Sequence, residues 1–301
     1  MIELRSITKT FDAKPAVSDI DMTIPTGSIY GLVGTNGSGK TTLLRMLSGV
    51  LTQDRGTIAY DGQPVYENAS VKGAIAFIPD DLSFFSRLTL KDAATFTAGL
   101  YASSWNQDLF TTAVKQFRLD PKMQFSRMSK GMKKQGAFCL AFARQPRYLL
   151  LDEPIDGLDP IVRKDIWELI VDAAADRSMT TVVSSHNLRE LEGYCDHICA
   201  IKAGRVVLEQ DIEELRSDIH KLQVSYGTGT RPSEQGLAPL KVLHEYERGS
   251  VSYLIVRNTP AELEAFVNRT HPVIFDTIAL TLEEIFIYEL GENSHDYTSK
   301  H

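Results

Sequence analysis

The sequence predicts an α/β protein built around a parallel sheet, followed by a smaller α+β region. The apolar segment Ser28–Val33 runs directly into the glycine-rich stretch Gly34–Thr41, and a helix-like segment begins at Thr42. Further along the chain, apolar runs alternate with helix-like segments, which is the pattern of parallel strands joined by helices. After about residue 210 this alternation stops, and shorter segments of a different order follow.

The elements can be assigned in chain order. Residues 1–27 alternate in strand fashion, residues 56–78 hold short strands, and residues 89–145 are mostly helical in pattern. The continuous apolar run Tyr148–Leu151 is typical of a buried parallel strand. A helix over 161–176 and a strand over 180–184 come next.

The region after residue 210 is predicted to form an accessory α+β unit. Ile212, Leu215, Ile219 and Leu222 recur at helical spacing, and Gly227–Gly236 is loop-rich. A hairpin within Leu240–Val256, helices over Pro260–Thr270 and Leu282–Leu290, and a strand over Val273–Ala279 complete it. From Gly291 the chain is polar, which is typical of a frayed end.

The stretch Gly34–Thr41 fits the pattern G-x-x-x-x-G-K-[ST] of a phosphate-binding loop. Its glycines allow the backbone to wrap around a polyphosphate, and the following helix adds the positive end of its dipole. Lys40 can reach the β- and γ-phosphates, and the Thr41 hydroxyl can bind Mg²⁺. The strand before the loop and the helix after it argue against a chance match. The predicted ligand-binding residues are Gly34, Asn36, Gly37, Ser38, Gly39, Lys40, Thr41 and Thr42.

Two further strand ends carry residues that suit phosphate chemistry. Asp152 and Glu153 follow the run Tyr148–Leu151, and an acid at this end of a parallel strand lies beside a phosphate loop. Asp152 can hold Mg²⁺ through water, and Glu153 can orient or deprotonate an attacking water. The alternative is a carboxylate pair that caps the next turn. His186 follows another strand and can contact the γ-phosphate, although a lone histidine is usually structural. The predicted catalytic residues are Glu153, His186 and Lys40.

Charge and composition restrict the class of partner. The chain of 301 residues has a net charge of −7, which argues mildly against a nucleic-acid partner. No stretch approaches the ~20 apolar residues that cross a bilayer, so another chain must supply the spanning part if the protein acts at a membrane.

We expect Cys139, Cys195 and Cys199 to be reduced core thiols. The alternative of a zinc site at Cys195, His197 and Cys199 lacks a fourth ligand at the usual spacing.

Together these motifs resemble the nucleotide-binding subunit of ABC (ATP-binding cassette) transporters over residues 1–210. The matching segments are Phe11 against adenine, the Walker A loop Gly34–Thr41, the signature position Met128–Met132, Walker B at Tyr148–Glu153, the D-loop Gly157–Asp159 and the switch histidine His186. The resemblance implies a P-loop NTPase core with an antiparallel β subdomain and a helical subdomain at about residues 85–145. Residues 211–301 are then a C-terminal extension, in which Leu282–Phe286 resembles the ending of the drug- and peptide-exporting branch.

The sequence departs from the family at the signature motif. The family's usual L-S-G-G-Q becomes Met128-Ser129-Lys130-Gly131-Met132, which keeps the serine and the second glycine. The resemblance implies that Ser129, Gly131 and the D-loop residue Asp159 complete the nucleotide site of an opposite subunit. Lys133 and Lys134 are expected to lie on a solvated helix face.

A second departure lies at Asp80, where family members usually carry glutamine. The resemblance implies that this position touches Mg²⁺ and the attacking water. An aspartate can face Mg²⁺, but it cannot donate a hydrogen bond as glutamine can. Asp80 therefore joins Thr41 and Asp152 as a predicted metal ligand.

The resemblance implies an ATP-hydrolysing subunit that pairs head to tail with a second nucleotide-binding subunit, with ATP and Mg²⁺ bound between them. It would power a separate membrane-spanning permease from the cytoplasmic face of the cell membrane, in export of a drug, peptide or lipid-like substrate. Phe84, Phe85 and Leu88 are candidates for the permease contact, or else local core residues. The alternatives are a soluble ABC-type ATPase acting on nucleic acid or ribosomes and a P-loop kinase.

Overall fold

A computed structural model describes residues 1–84, 87–226 and 240–290, which form two units. The first contains Met1–His186 and Gly193–Glu209. The second contains Asn187–Glu192 and the described residues from Gln210 onward. The short segment 187–192, which the sequence pattern groups with the phosphate-loop region, thus belongs to the second unit. The loop-rich stretch Gly227–Gly236 and the polar end from Gly291 lie outside the described residues.

The first unit contains an antiparallel sheet and a largely parallel sheet. The antiparallel sheet has the order β2-β1-β4-β5. Its strands are β1 (Ile2–Phe11), β2 (Lys14–Ile24), β4 (Arg55–Tyr60) and β5 (Gln63–Pro64). The six-stranded sheet has the order β10-β9-β3-β8-β7-β6. Its strands are β3 (Ile29–Val33), β6 (Ile75–Ile78), β7 (Tyr148–Asp152), β8 (Thr180–Ser185), β9 (His197–Lys202) and β10 (Arg205–Asp211), whose last two residues are assigned to the second unit.

The parallel sheet brings the strand ends of the predicted site to one edge. Strands β6, β7, β8, β3 and β9 pair in parallel in that order. Every residue of β3, β7 and β8 is buried, which explains their continuous apolar runs. The register sets Asp152 beside Ser184 and Val33 beside Ser185. The residues that follow β3, β6, β7 and β8 therefore meet at the same edge.

Except for α1, which follows Gly39, the described helices of the first unit begin after a residue whose side chain caps them. They are α1 (Lys40–Leu47), α2 (Ala69–Gly73), α3 (Leu90–Leu100), α4 (Gln107–Gln116), α5 (Lys130–Ala143) and α6 (Pro160–Arg177), with a 3₁₀ turn at Phe125–Arg127. Thr89 forms a capping box with Asp92 at the start of α3, and Ser129 and Asp159 cap α5 and α6. Helix α1 packs Leu43, Leu44, Met46 and Leu47 into the core that also holds Tyr30 and Leu150.

The second unit is a four-stranded antiparallel sheet with helices. The strand order is β12-β13-β11-β14, in which β11 (Ile219–Ser225), β12 (Val242–Arg248), β13 (Val251–Arg257) and β14 (Ile274–Ile278) take part. Its helices are α7 (Ile212–Asp218), α8 (Pro260–Thr270) and α9 (Leu282–Leu290), and Leu188–Glu190 is a 3₁₀ turn. The core contains Leu222, Val224, Leu254, Val256 and Phe266.

One helical prediction in this unit is wrong in its extent. Ile219 and Leu222 continue the helical spacing of Ile212 and Leu215, but the helix ends at Asp218 and they lie in β11. Strand β11 pairs with β13 on one side and β14 on the other, and this pairing outweighs the local periodicity.

Within the described ranges, no helix is both long and apolar enough to cross a membrane.

Candidate functional site

The phosphate loop joins β3 to α1 and requires glycine at two positions. Gly39 has a φ of +112°, and a Cβ atom there would lie 2.5 Å from the backbone oxygen of Ala16. A Cβ atom at Gly34 would collide with the backbone oxygen of Ile201. These close approaches let the loop curl back before the helix begins at Lys40.

The loop encloses a cavity of about 310 Å³. Of the residues that the structure describes, the cavity is lined by Ala16, Asn36, Gly37, Ser38, Gly39, Lys40, Thr41, Thr42, Asp80 and Glu153. The Ser38 hydroxyl is buried and has no hydrogen-bond partner among the described residues. The N–H groups in the first turn of a helix also lack partners within the helix. Unpaired donors, a helix N-terminus and a lysine together fit a polyphosphate.

Lys40 occupies the cavity wall with its ammonium facing three oxygens. Its Nζ atom donates to the backbone oxygens of Gly34 at 2.6 Å and Thr35 at 3.3 Å, and it lies 3.6 Å from Glu153 Oε1. Burial lowers the pKa of Lys40, and the charge of Glu153 partly opposes this shift. The buried Lys40 side chain thus lines the phosphate-loop cavity, where phosphate oxygens can replace its protein partners.

The predicted metal ligands Thr41 and Asp152 are in direct contact. Thr41 Oγ1 donates to Asp152 Oδ1 at 3.1 Å, and Ser184 Oγ donates to the same oxygen at 2.7 Å. The Asp152 side chain is buried. A carboxylate and a hydroxyl next to the phosphate loop form the hard-oxygen environment that Mg²⁺ prefers. These residues therefore fit a magnesium ion bound together with a nucleotide.

Glu153 is turned out of the strand and into the cavity. Its φ is +45°, a conformation that costs a non-glycine residue about 1–3 kcal/mol. The Glu153 N–H donates to the backbone oxygen of Ser184 at 3.2 Å and lies 3.1 Å from Ser184 Oγ. Contacts to the backbone thus hold this strained residue in place.

The Glu153 carboxylate contacts His186 through one oxygen and faces the Lys40 ammonium with the other. Its Oε2 atom lies 2.9 Å from Nδ1 of His186. Its Oε1 atom is buried and accepts no hydrogen bond from the described part of the chain. The structure thus brings together Lys40, Glu153 and His186, the three residues that the sequence assigns to catalysis.

The residues assigned to an opposite subunit lie elsewhere in the first unit. Ser129 caps α5 by accepting from the Met132 N–H at 3.1 Å, and Gly131 lies in the first turn of that helix. Asp159 caps α6 by accepting from the N–H groups of Ile161 and Val162, both at 3.1 Å. None of these three residues is in the described lining of the cavity.

Phe11 lies at the end of β1 with 47% of its surface exposed. It is not one of the described residues that line the cavity. The Lys9 ammonium lies 5.6 Å from the centre of its ring. The ring is therefore about half exposed, with the Lys9 ammonium over it.

The prediction of a solvated Lys134 is wrong. Its side chain is fully buried, and Nζ donates to the backbone oxygens of Glu153 at 2.6 Å and Asp156 at 3.3 Å. A third bond runs to Asp80 Oδ1 at 3.2 Å. The signal was present in the sequence, because Lys134 precedes the buried Phe138 and Phe142 at successive four-residue spacings. It therefore lies on the buried face of α5.

Asp80 reaches the cavity, but lysines hold its carboxylate. Besides Lys134, the Lys130 ammonium lies 3.3 Å from Oδ1. Burial raises the pKa of Asp80, but hydrogen bonds and attraction to Lys134 and Lys130 outweigh it and lower the pKa below the ordinary value. Asp80 is thus an anion beside the predicted metal site.

The other predicted features have simpler surroundings. Phe84 stacks on Phe125 with ring centres 3.9 Å apart, Leu88 is partly exposed, and Phe85 lies outside the described residues. The three cysteines are free and buried, and burial raises the pKa of Cys139 to about 12. Over the described ranges, no group of three or more histidine, cysteine, aspartate or glutamate side chains is arranged to hold a metal ion.

Comparisons with known proteins identify the family of this chain. A family model described as ABC transporter matches residues 17–156. The ABC transporter ATP-binding protein YtrB of Bacillus subtilis is 30% identical over 294 residues, which cover 97% of this chain and 98% of YtrB. Nod factor export ATP-binding protein I of Cupriavidus metallidurans is 29% identical over 305 residues, which cover 98% of this chain and 99% of that protein.

A solved structure gives the same result for the fold. The dimeric post-hydrolysis structure of an ATP-binding cassette bound to ADP and Pi matches with a TM-score of 0.64 and 20% identity, covering 70% of this chain and 99% of that one. This match confirms the predicted fold class, and the relatives confirm the predicted enzyme class. The chain therefore belongs to the ABC transporter ATP-binding proteins, and it is an ATPase that powers transport.

Proposed function

We propose that this protein hydrolyses ATP as one of two nucleotide-binding subunits of an exporter, with Glu153 as the residue that activates water. One observation carries the proposal: a carboxylate in the cavity lining whose Oε2 contacts His186, while Oε1 accepts no hydrogen bond from the described residues and lies 3.6 Å from the Lys40 ammonium. A general base must lie within hydrogen-bond reach of the proton that it accepts, and Glu153 lines the space beside the phosphate loop.

The remaining roles follow from position. The loop N–H groups, Ser38 and Lys40 hold the phosphates of ATP, while Thr41 and Asp152 hold Mg²⁺. Bound Mg²⁺ would neutralise charge on the phosphate oxygens. Glu153 Oε1 accepts the proton of the attacking water, and His186 fixes the carboxylate through Nδ1. Asp80, at the cavity wall, completes the metal and water environment.

The site needs a second subunit on its open side. The cavity lining that the structure describes supplies cationic and N–H donors from the phosphate loop alone. Ser129 and Gly131 instead begin a helix, where N–H groups and the dipole favour an anion. Two copies arranged head to tail, each placing its α5 N-terminus against the partner's nucleotide, would complete both sites. Asp159 would contact the same nucleotide, and Phe11 would stack on adenine.

Export through a separate membrane-spanning permease is the transport role that we infer. Support comes from the Nod factor export relative, whose similarity extends over 98% of this chain and so includes the second unit. We infer that the segment 80–88 contacts the permease and that the protein acts at the cytoplasmic face of the membrane. We retain residues 1–210 as the ATP-binding domain and 211–301 as its accessory region. The substrate class, a drug, peptide or lipid-like molecule, is part of this proposal.

The Glu153→Gln variant tests the hydrolytic assignment. It removes the base but keeps shape and nucleotide contacts, so we expect kcat to fall about 100-fold or more and an ATP-dependent dimer to accumulate in size-exclusion chromatography. Glu168→Gln, which changes an exposed carboxylate on α6, should behave like the wild-type protein. A Glu153→Gln protein that stays monomeric with full ATPase activity would contradict the proposal.

Copurification tests the transport role. A multi-span membrane protein that copurifies with the wild-type chain, and ATP-driven substrate movement out of proteoliposomes containing both, are the expected results. Substrate movement into them would reverse the direction. ATPase stimulation by DNA or RNA, without a membrane partner, would favour the nucleic-acid alternative.

A further inference from the structure

Lys134 is a buried lysine that belongs neither to the signature motif nor to the phosphate loop. Its ammonium is completely buried, and an ammonium has three N–H donors. The three acceptors are Asp80 Oδ1, the Glu153 backbone oxygen and the Asp156 backbone oxygen. Burying a charge is costly unless it is fully paired, so this arrangement depends on all three partners being in place.

Two of the three partners, Asp80 and Glu153, belong to parts of the site that have different tasks. Asp80 follows β6 and lines the cavity, whereas Glu153 follows β7 and has a strained backbone. Lys134 itself stands on α5, one turn after Lys130, in the helix that Ser129 caps. A single side chain thus connects the cavity wall, the backbone of the water-activating residue and the helix proposed to bind the partner's nucleotide.

We propose that Lys134 is a positioning residue that holds Glu153 in its productive orientation and couples Asp80 to helix α5. Its shortest bond, 2.6 Å to the Glu153 carbonyl, fixes the residue whose φ of +45° turns the carboxylate into the cavity. Because Asp80 pairs with Lys134 and with Lys130 of the same helix, a shift of Asp80 acts on α5. This inference rests on the proposed function, because it takes Glu153 to be the residue that activates water. It assigns no chemistry to Lys134 itself.

The Lys134→Met variant tests the inference, with Lys133→Met as its matched neighbour. Misplacement of a reacting group by about 1 Å can cost 100-fold in rate, so we expect kcat to fall roughly 10- to 100-fold in Lys134→Met. The affinity for a fluorescent ATP analogue should stay within about threefold, because the phosphate-binding residues are unchanged. Lys133→Met, which removes a charge one residue away, should keep wild-type kcat. A purely structural role would instead lower the unfolding midpoint and leave kcat per nucleotide-binding molecule unchanged, which would overturn the proposal.

The coupling to Asp80 is tested by a double-mutant cycle. Removing either partner leaves the other uncompensated, so the loss of kcat in Asp80→Asn/Lys134→Met should be smaller than the product of the two single losses. Losses that multiply would overturn the coupling. If Lys134→Met fails to fold, Lys134→Gln replaces it in both tests, because it keeps a donor for the Glu153 carbonyl but no charge for Asp80. If both the wild-type protein and Lys133→Met lack ATPase activity, the proposed function itself is refuted. If the wild-type protein is active and the Lys134 variant is equally active, only the positioning role is refuted.

Discussion

Two buried lysines contact Glu153, and their surroundings differ. One is placed to bind a ligand, and the other is placed to hold the residues of the site in position. Lys40 approaches the Glu153 side chain from the phosphate loop, and Lys134 donates to its backbone oxygen from helix α5. Each ammonium faces three oxygens of the protein. Lys40 lines the cavity, so a ligand can replace its partners, whereas Lys134 is not in the described cavity lining.

The comparison extends to the regions around them. The phosphate-loop region follows its sequence motif and offers unpaired donors, such as the Ser38 hydroxyl. The region of α5 and Asp80 departs from the family pattern, and its charges already pair with each other. Substitutions in the first region should therefore change nucleotide affinity, and those in the second should change turnover with affinity kept.

The largest expected effect on affinity is that of Lys40→Met. The variant removes the charged donor at the cavity wall, and a charge-assisted hydrogen bond contributes about 1.5–3 kcal/mol. ATP should bind about 10- to 100-fold more weakly in a fluorescence titration. Lys164→Met, at an exposed lysine of α6, should bind normally. If affinity were retained and only kcat lost, the division between the two lysines would fail.

The Ser129→Ala variant tests the comparison in the region of α5 and Asp80. ATP affinity of the isolated subunit should be unchanged, while dimer formation and kcat fall about tenfold because a donor to the partner's nucleotide is lost. The substitution also removes a helix cap, at a cost of about 1 kcal/mol. Thr259→Ala removes a comparable cap from α8 in the second unit and controls for that loss, since it should leave turnover intact. If the two substitutions lowered kcat equally, Ser129 would act only as a helix cap.

Phe11→Ala has a smaller expected effect, on affinity alone. An aromatic stacking contact is worth about 0.5–1.5 kcal/mol, which corresponds to roughly two- to tenfold weaker binding. Because stacking reads no base edge, the loss should be alike for ATP and GTP in parallel titrations. Unchanged affinity for both nucleotides would remove Phe11 from the site.

The smallest expected effect is the pH dependence of Asp80. Its pKa in the folded protein lies below the ordinary 3.8, so its ion pairs contribute to stability above pH 3.8 and are lost as pH falls through the lower folded value. The difference in unfolding midpoint between wild-type protein and Asp80→Asn should be constant above about pH 5 and shrink below about pH 4. In a Lys134→Met background this dependence should be weaker. A difference that grows on acidification would contradict the pairing.

The sequence was sufficient to predict the strand–loop–helix unit and the acids at the strand ends. Both signals are local, since Gly34–Thr41 and Asp152-Glu153 each follow an apolar run whose burial demands a parallel strand. The roles of these residues in catalysis remain predictions. What local patterns could not supply is which side chains meet across the sheet edge.

Lys134 and β11 illustrate the two kinds of failure. Lys134 and Asp80 are separated by 54 positions, so their contact depends on how α5 packs and not on either local sequence. Ile219 and Leu222 continue a helical pattern, but strand partners far along the chain decide their conformation. In both cases a long-range contact outweighs the local preference.

Ser184 has a consequence for how the site can move. Its hydroxyl donates to Asp152 Oδ1 at 2.7 Å and lies 3.1 Å from the Glu153 N–H, so it links the two acids across neighbouring strands. The acid predicted to hold the metal and the acid predicted to activate water are therefore coupled through one hydroxyl. We expect a displacement of either acid to shift the other through this link.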